Sequence, residues 1–201
     1  MNILIACEYS GRVRDAFIAK GHNAISCDLL PCESPFTYRN KLCHKQGDVL
    51  EILDQDWDMI IAFPPCTYIT NAGVRWLHTR PERWAQLDEA CEFFKRFLHH
   101  RSPKICIENP IPHKYALERI GCKYDQLVQP WMFGHKYTKA TCFWLKGLPP
   151  LKETNNVKRE TFDLPRKERL HLWNLPPSPE RAKLRSLTPH GLAQAMADQW
   201  G

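Results

Sequence analysis

Apolar residues in this chain come in short continuous runs, separated by turns and by stretches of helical spacing. Asn2 to Cys7 holds the run Ile3-Leu4-Ile5-Ala6, which predicts a buried strand. Glu8-Tyr9-Ser10-Gly11 follows as a turn. Val13, Ala16, Phe17 and Ala19 then recur at roughly helical spacing, and Gly21 closes that helix. His22 to Cys27 predicts a second strand that ends at Asp28. Leu29 to Gly47 has no periodicity and carries Pro31 and Pro35, so it reads as a long loop. Gly47-Asp48-Val49 opens a short helical stretch through Leu53, and Met59-Ile60-Ile61-Ala62 is a third buried strand.

The second half continues the alternation. Tyr68 to Arg80 reads as a polar, aromatic loop. Pro81 opens a helix with an apolar stripe at Trp84, Leu87, Ala90, Cys91, Phe94, Phe97 and Leu98. Lys104-Ile105-Cys106-Ile107 is the next strand, stopped by Glu108-Asn109-Pro110. Leu127 to Phe133 predicts a strand with a turn at Gly134, and Thr141 to Leu145 another, closed by Leu148-Pro149-Pro150-Leu151. Lys152 to Pro179 is charged and proline-bearing and predicts an extended segment without a core. Leu192, Ala195, Met196 and Trp200 share one face of a C-terminal helix. Strand, glycine-bearing turn, helix, then a strand ending in a carboxylate about 20 residues on is the layout of a Rossmann-like first half. The expected class is therefore α/β, a single domain with a core over 1–151, a basic segment over 152–185 and a helix over 186–201 that packs on the core.

Composition adds bounds. The 201 residues suit one good core, and 43% apolar with 25% charged residues is ordinary for a globular protein. No apolar run approaches the roughly 20 residues of a bilayer span, so no membrane partner is expected. The N-terminus lacks the basic and cleavage features of a signal peptide. Nine cysteines without a repeating framework read as reduced thiols in a cytosol-like compartment. Cys27, Cys32, Cys43 and His44 lack the paired spacing of a zinc site, so no metal is expected. The net charge of +6 favours anionic partners, nucleic acid among them. Nothing in the pattern signals an oligomeric state.

The chemistry gathers where strands end. In open α/β sheets ligands bind outside the carboxyl ends of the strands. Asp28, Phe63-Pro64-Pro65-Cys66 and Glu108-Asn109-Pro110 all stand at such ends. Paired prolines make a stiff exit from the sheet and present Cys66 there. A buried core thiol is the plain alternative for Cys66, and a turn or helix-capping residue the alternative for Asp28 and Asp48.

At these residues the chain resembles the cytosine-C5 DNA methyltransferases, in particular compact phage- and prophage-type members without a full target-recognition domain. The Pro-Cys motif matches Phe63-Pro64-Pro65-Cys66, and Glu108-Asn109-Pro110 resembles the family's Glu-Asn-Val with proline for valine. Phe133-Gly134-His135-Lys136-Tyr137-Thr138-Lys139-Ala140-Thr141 resembles its Tyr-Gly-x-Pro-Gln-x-Arg-x-Arg strand. There Tyr137 replaces the glutamine, and Lys139 and Thr141 replace the arginines. Ala6-Cys7-Glu8-Tyr9-Ser10-Gly11 resembles the cofactor turn but is short of glycines.

The resemblance implies a Rossmann-like S-adenosylmethionine-dependent methyltransferase sheet flanked by helices. It implies Cys66 as nucleophile, Glu108 as acid, Asn109 as the residue that positions the loop, and Lys139 at a phosphate or the cytosine carbonyl. Pro65, Tyr137 and Thr141 would meet the substrate. Glu8, Ser10, Gly11, Asp28, Asp48 and Pro64 would line the S-adenosylmethionine pocket. A catalytic thiol is expected to be accessible and more acidic than free cysteine. The implied substrate is DNA, in the cytosol of a bacterial host for a phage-encoded chain. Only Lys152 to Arg185 stands where the family reads sequence, with Lys158, Arg159, Arg166, Lys167, Arg169, Arg181, Lys183 and Arg185 for phosphates. That small segment leaves RNA and a free nucleotide open as substrates. Two further alternatives stand: an amino-methyltransferase acting on adenine N6 or cytosine N4, and a non-catalytic nucleic-acid-binding module.

Overall fold

The structure, a computed structural model, describes residues 1–34, 37–38 and 40–201. In chain order its elements are β1 (Asn2–Ala6), α1 (Arg12–Ala19), β2 (Asn23–Asp28), β3 (Thr37–Tyr38), β4 (Lys41–Leu42), β5 (His44–Gln46), α2 (Leu50–Leu53) and β6 (Met59–Ala62). There follow α3 (Glu82–Leu98), β7 (Lys104–Pro110), α4 (Lys114–Ile120), β8 (Gln126–Val128), β9 (Thr141–Lys146), α5 (Lys158–Asp163), α6 (Arg166–Arg169), α7 (His171–Asn174), α8 (Pro179–Ser186) and α9 (His190–Trp200). Two 3-10 turns lie at Asn71–Leu77 and Pro130–Met132.

The main sheet has seven strands in the order β5-β2-β1-β6-β7-β9-β8. β1, β2, β5, β6 and β7 are parallel, and β9 runs antiparallel between β7 and β8. The α/β class and the single sheet flanked by helices are as expected from the sequence.

Alternation along the strands decides which helix covers which face. Ile3, Ile5, Met59, Ile61 and Cys106 point to one side, where Val13 and Phe17 of α1 and Met196 and Trp200 of α9 complete the core. Leu4, Ala6, Ile60, Ala62, Ile105 and Ile107 point to the other, against Leu87, Phe94 and Phe97 of α3 and Ala116 of α4. Both faces are covered, so the strands read as unbroken apolar runs. Each fully buried Ile or Leu contributes about 1.5–3 kcal/mol.

The chain winds outward from β1 through β2 to β5, then returns to the far side of β1 with β6. That reversal places a crevice over the carboxyl ends of β1 and β6. β7 outlasts its neighbour: its pairing with β6 stops at Ala62↔Ile107, while its pairing with β9 continues through Glu108↔Phe143 to Pro110↔Thr141. Glu108 and Asn109 therefore lie within β7, not after it, and stand beyond the end of β6.

Four expectations are corrected. The loop over 29–47 contains β3, β4 and the sheet strand β5, whose residues His44, Lys45 and Gln46 carry no apolar signal. Pro35 lies outside the described residues. The loop over 68–80 holds a 3-10 turn. The strand expected over 127–133 is only Gln126–Val128, because Pro130 opens a 3-10 turn. The segment expected to be extended forms α5 to α8. Short helices without an apolar stripe escape periodicity, and backbone bonds anchor them: Val157 N–H to Trp131 O at 2.8 Å and Thr138 N–H to Arg169 O at 2.9 Å. α9 packs on the core, with Trp200 Nε1 donating to Pro149 O at 2.9 Å.

Candidate active site

At the end of β1 the chain turns sharply. Cys7 has a φ of +58°, the left-handed region, which costs a non-glycine residue about 1–3 kcal/mol. The turn sends Glu8 inward, where it is buried at the start of α1. Its Oε1 accepts from Ser10 Oγ at 2.5 Å and from the Val13 amide at 3.5 Å, while its Oε2 is buried without a partner. Burial pushes the Glu8 carboxyl up, against the Ser10 bond. Gly11 has a φ of +76°, and a Cβ there would sit 2.4 Å from Arg14 Nη2. Arg14 is fully buried and donates to Ser26 Oγ at 3.1 Å and Ser34 O at 2.6 Å. The glycine thus makes room for a buried guanidinium.

Asp28 and Asp48 meet at the same corner. Asp28 Oδ1 accepts from the Leu30 amide at 2.9 Å and Asp48 Oδ1 from the Leu50 amide at 2.9 Å. Burial, then Asp28, Cys27 and Asp48, push the Cys7 thiol well up. Burial also raises the Asp28 carboxyl, opposed by the Leu30 amide. Across the mouth runs the α8 segment: Tyr9 O–H donates to Lys183 O at 2.9 Å, Lys183 pairs with Glu33 at 2.6 Å, and Arg12 Nη1 donates to Thr188 O at 2.9 Å.

The second corner lies over β6 and β7. Pro64 is buried and Pro65 exposed, and Cys66 is half-buried in a turn whose carbonyl accepts from the Ile69 and Thr70 amides at 3.1 and 3.0 Å. Asn109 is fully buried, and its Nδ2 donates to Pro64 O at 3.3 Å. Its Oδ1 is buried without a partner. Because β7 outlasts β6, Asn109 can brace the peptide from which β6 departs.

Glu108, Lys139 and Thr141 line a small cleft with Phe63, Gln129 and Leu192. Burial, then Glu108, push the Cys66 thiol up, while Lys139 and Arg185 pull it down. Burial raises the Glu108 carboxyl, opposed by Lys139 and a hydrogen bond with Thr141. The direction is opposite to the acidic thiol expected at Cys66: desolvation and a neighbouring carboxyl outweigh the pull of two cations.

Cys66, Glu108, Asn109, Lys139, Thr141, Pro64 and Pro65 thus gather at one corner, and Glu8, Ser10, Gly11, Asp28 and Asp48 at the other. Tyr137 joins neither. It packs edge-on against His135 and His171, ring centroids 6.1 and 5.0 Å away, and burial pushes its hydroxyl up to about 12. Gln129 was missing from the expected site, and Cys7 and Arg185 stand near it in parts the sequence did not assign them. Cys7 sits between the two aspartates. Gln129 Oε1 accepts from the Lys139 amide at 3.0 Å and lines the cleft. Arg185 brings charge to Cys66 from a segment expected to be extended. Only Cys7 carried a signal, as the last residue of an apolar run before a turn. The wider surface depression at Asp54, Glu92 and Arg96 lies far from these residues, at the opposite end of α3.

No family model matches the chain, and no curated protein sequence matches it. Among solved structures it is similar to a prophage-encoded protein of E. coli described as a DNA modification methyltransferase. That match has 15% identity and a TM-score of 0.46, and covers 83% of this chain and 56% of that one. It is also similar to the Entamoeba histolytica methyltransferase EhMeth, at 11% identity and a TM-score of 0.45, covering 78% of this chain and 57% of that one. The chain thus spans a little over half the length of both.

Proposed function

We propose that the chain transfers a methyl group from S-adenosylmethionine to C5 of cytosine in DNA, through a covalent adduct on Cys66. What carries the reading is the nearness of three groups: Glu108 and Lys139 line one cleft, and both act electrostatically on the Cys66 thiol. C5 of cytosine is too weak a nucleophile to be methylated unaided. The Cys66 thiol loses its proton to solvent, and Sγ bonds to C6 as Glu108 passes a proton to N3. The C5–C6 electron pair is thereby freed to make C5 nucleophilic. After methylation the C5 proton leaves to solvent, the S–C6 bond breaks and N3 returns its proton to Glu108.

Electrostatics suits this order. The thiol and the carboxyl raise each other's cost of ionising, so the corner favours one negative charge at a time. Glu108 ionises as the thiolate charge is consumed, and Lys139 faces both. Asn109 keeps the Pro64 peptide, and so Cys66, in place.

The first corner fits the cofactor. Buried Glu8 Oε2 lacks a partner, and Asp28 and Asp48 add two carboxylates around Cys7, an acceptor-rich set suited to ribose hydroxyls and a cationic ligand. S-adenosylmethionine would supply an electrophilic methyl group there. Asp28→Ala is expected to weaken S-adenosylhomocysteine binding about tenfold by calorimetry, the worth of one charge-assisted hydrogen bond. Unchanged binding contradicts the assignment of Asp28.

A second reading, transfer to an exocyclic amino group, is favoured by the raised Cys66 thiol, because that chemistry needs no thiolate. The two differ in product. Digestion of a methylated oligonucleotide to nucleosides tests the product. 5-methylcytosine is expected; N4-methylcytosine, N6-methyladenine or no methylated base contradicts the reading.

A further inference from the structure

The basic segment is partly committed to internal contacts. Lys183 pairs with Glu33, Arg181 Nη2 donates to Trp173 O and Arg169 Nη1 to Phe162 O. A second set of cations stands on the segment that follows Cys66, over 75–83. Arg75 and Arg80 place their guanidinium carbons 4.5 and 4.7 Å from the centre of the Trp76 ring. Arg83 lies 4.6 Å from the Tyr68 ring, and its Nη2 donates to Thr67 O at 3.5 Å. Arg83 Nε is buried without a partner. Among the described residues no carboxylate forms an ion pair with any of the three. Arg75 and Arg80 are exposed.

We propose that Arg75, Arg80 and Arg83 form a phosphate clamp for the DNA strand whose base enters the Cys66–Glu108 site, an inference that rests on the reading above. An arginine with a nearby carboxylate has its charge answered; these three have aromatic faces and, for Arg83, one backbone carbonyl. A ring face holds a guanidinium flat and leaves its N–H edges outward, where they match the oxygens of a phosphate. The faces of Trp76 are taken up by two guanidinium groups, so the surface suits backbone contact rather than base stacking. Position ties the clamp to chemistry: Arg83 contacts the carbonyl of Thr67, the residue after Cys66. A strand gripped here would have its target base held beside the thiol.

Fluorescence anisotropy with a labelled single-stranded oligodeoxynucleotide over a salt series tests the clamp. Arg75→Ala with Arg80→Ala is expected to weaken binding about tenfold or more at low salt. The slope of log affinity against log salt should fall by about 1.4, at about 0.7 per phosphate contact on a single strand. Arg75→Lys with Arg80→Lys keeps the charges and is expected to keep most of the slope. Lys158→Ala with Arg159→Ala should change the slope less than the Arg75 and Arg80 pair does. An alanine pair that binds like the parent overturns the clamp, as does a lysine pair that loses as much as the alanine pair. Tighter binding of RNA of the same sequence overturns the choice of DNA. If the parent chain binds no DNA at low salt, the proposed substrate fails and the clamp with it. If the parent binds and only the Lys158 pair matters, the clamp alone fails.

Discussion

Cys66→Ala is expected to abolish methyl transfer while leaving S-adenosylhomocysteine binding within about twofold of the parent chain. The substitution removes one sulfur atom from a half-buried turn whose conformation is held by backbone bonds from Ile69 and Thr70 and by Asn109 on Pro64. None of these involves Sγ, so the turn should persist. The cofactor corner at Glu8, Asp28 and Asp48 belongs to other strand ends. What is lost is the only atom proposed to bond to C6, and no neighbouring group replaces it. Retained methylation in this variant contradicts the covalent route and favours amino transfer.

Glu108→Gln is expected to have two effects of opposite sign. Methylation should fall about 10²–10⁴-fold, the usual worth of a positioned general acid, because an amide cannot pass a proton to N3. Alkylation of Cys66 by iodoacetamide should become faster. Burial and Glu108 are the two causes that raise the thiol most, and the variant removes the second while leaving Lys139 and Arg185 in place. Glutamine matches glutamate in size, so the cleft keeps its shape. A slower methylation with unchanged alkylation would mean that the carboxyl acts on the base but not on the thiol.

The parts of the fold with continuous apolar runs were legible in the sequence. β1, β2, β6 and the start of β7 are buried on both faces, and burial on both faces is what such runs encode. The polar β5 was not, because it is held at the sheet edge by backbone pairing with β2, and His44 is satisfied by Ser26 Oγ at 2.8 Å rather than by apolar contact. The helices between Lys158 and Ser186 escaped for the same reason: backbone anchoring leaves no periodic stripe.

At the site, residue types at strand ends were readable because prolines and carboxylates interrupt apolar runs there. Their electrostatics were not. The thiol of Cys66 is pushed up first by burial and then by Glu108, which is 42 positions away in sequence and is brought near by the extra length of β7 over β6. Tyr137 fitted a motif position, yet its ring is taken up by His171 on α7, an element with no sequence signal.

The covalent claim is tested most directly by incubating the protein with S-adenosylmethionine and an oligonucleotide carrying 5-fluorocytosine, then measuring the intact mass. Fluorine at C5 replaces the proton that must leave before the S–C6 bond can break, so the adduct should persist. The account expects one adduct per chain, dependent on the cofactor and located by digestion to Cys66. Methylation of unmodified DNA without any adduct on the fluorinated strand, or an adduct on another cysteine, would contradict it.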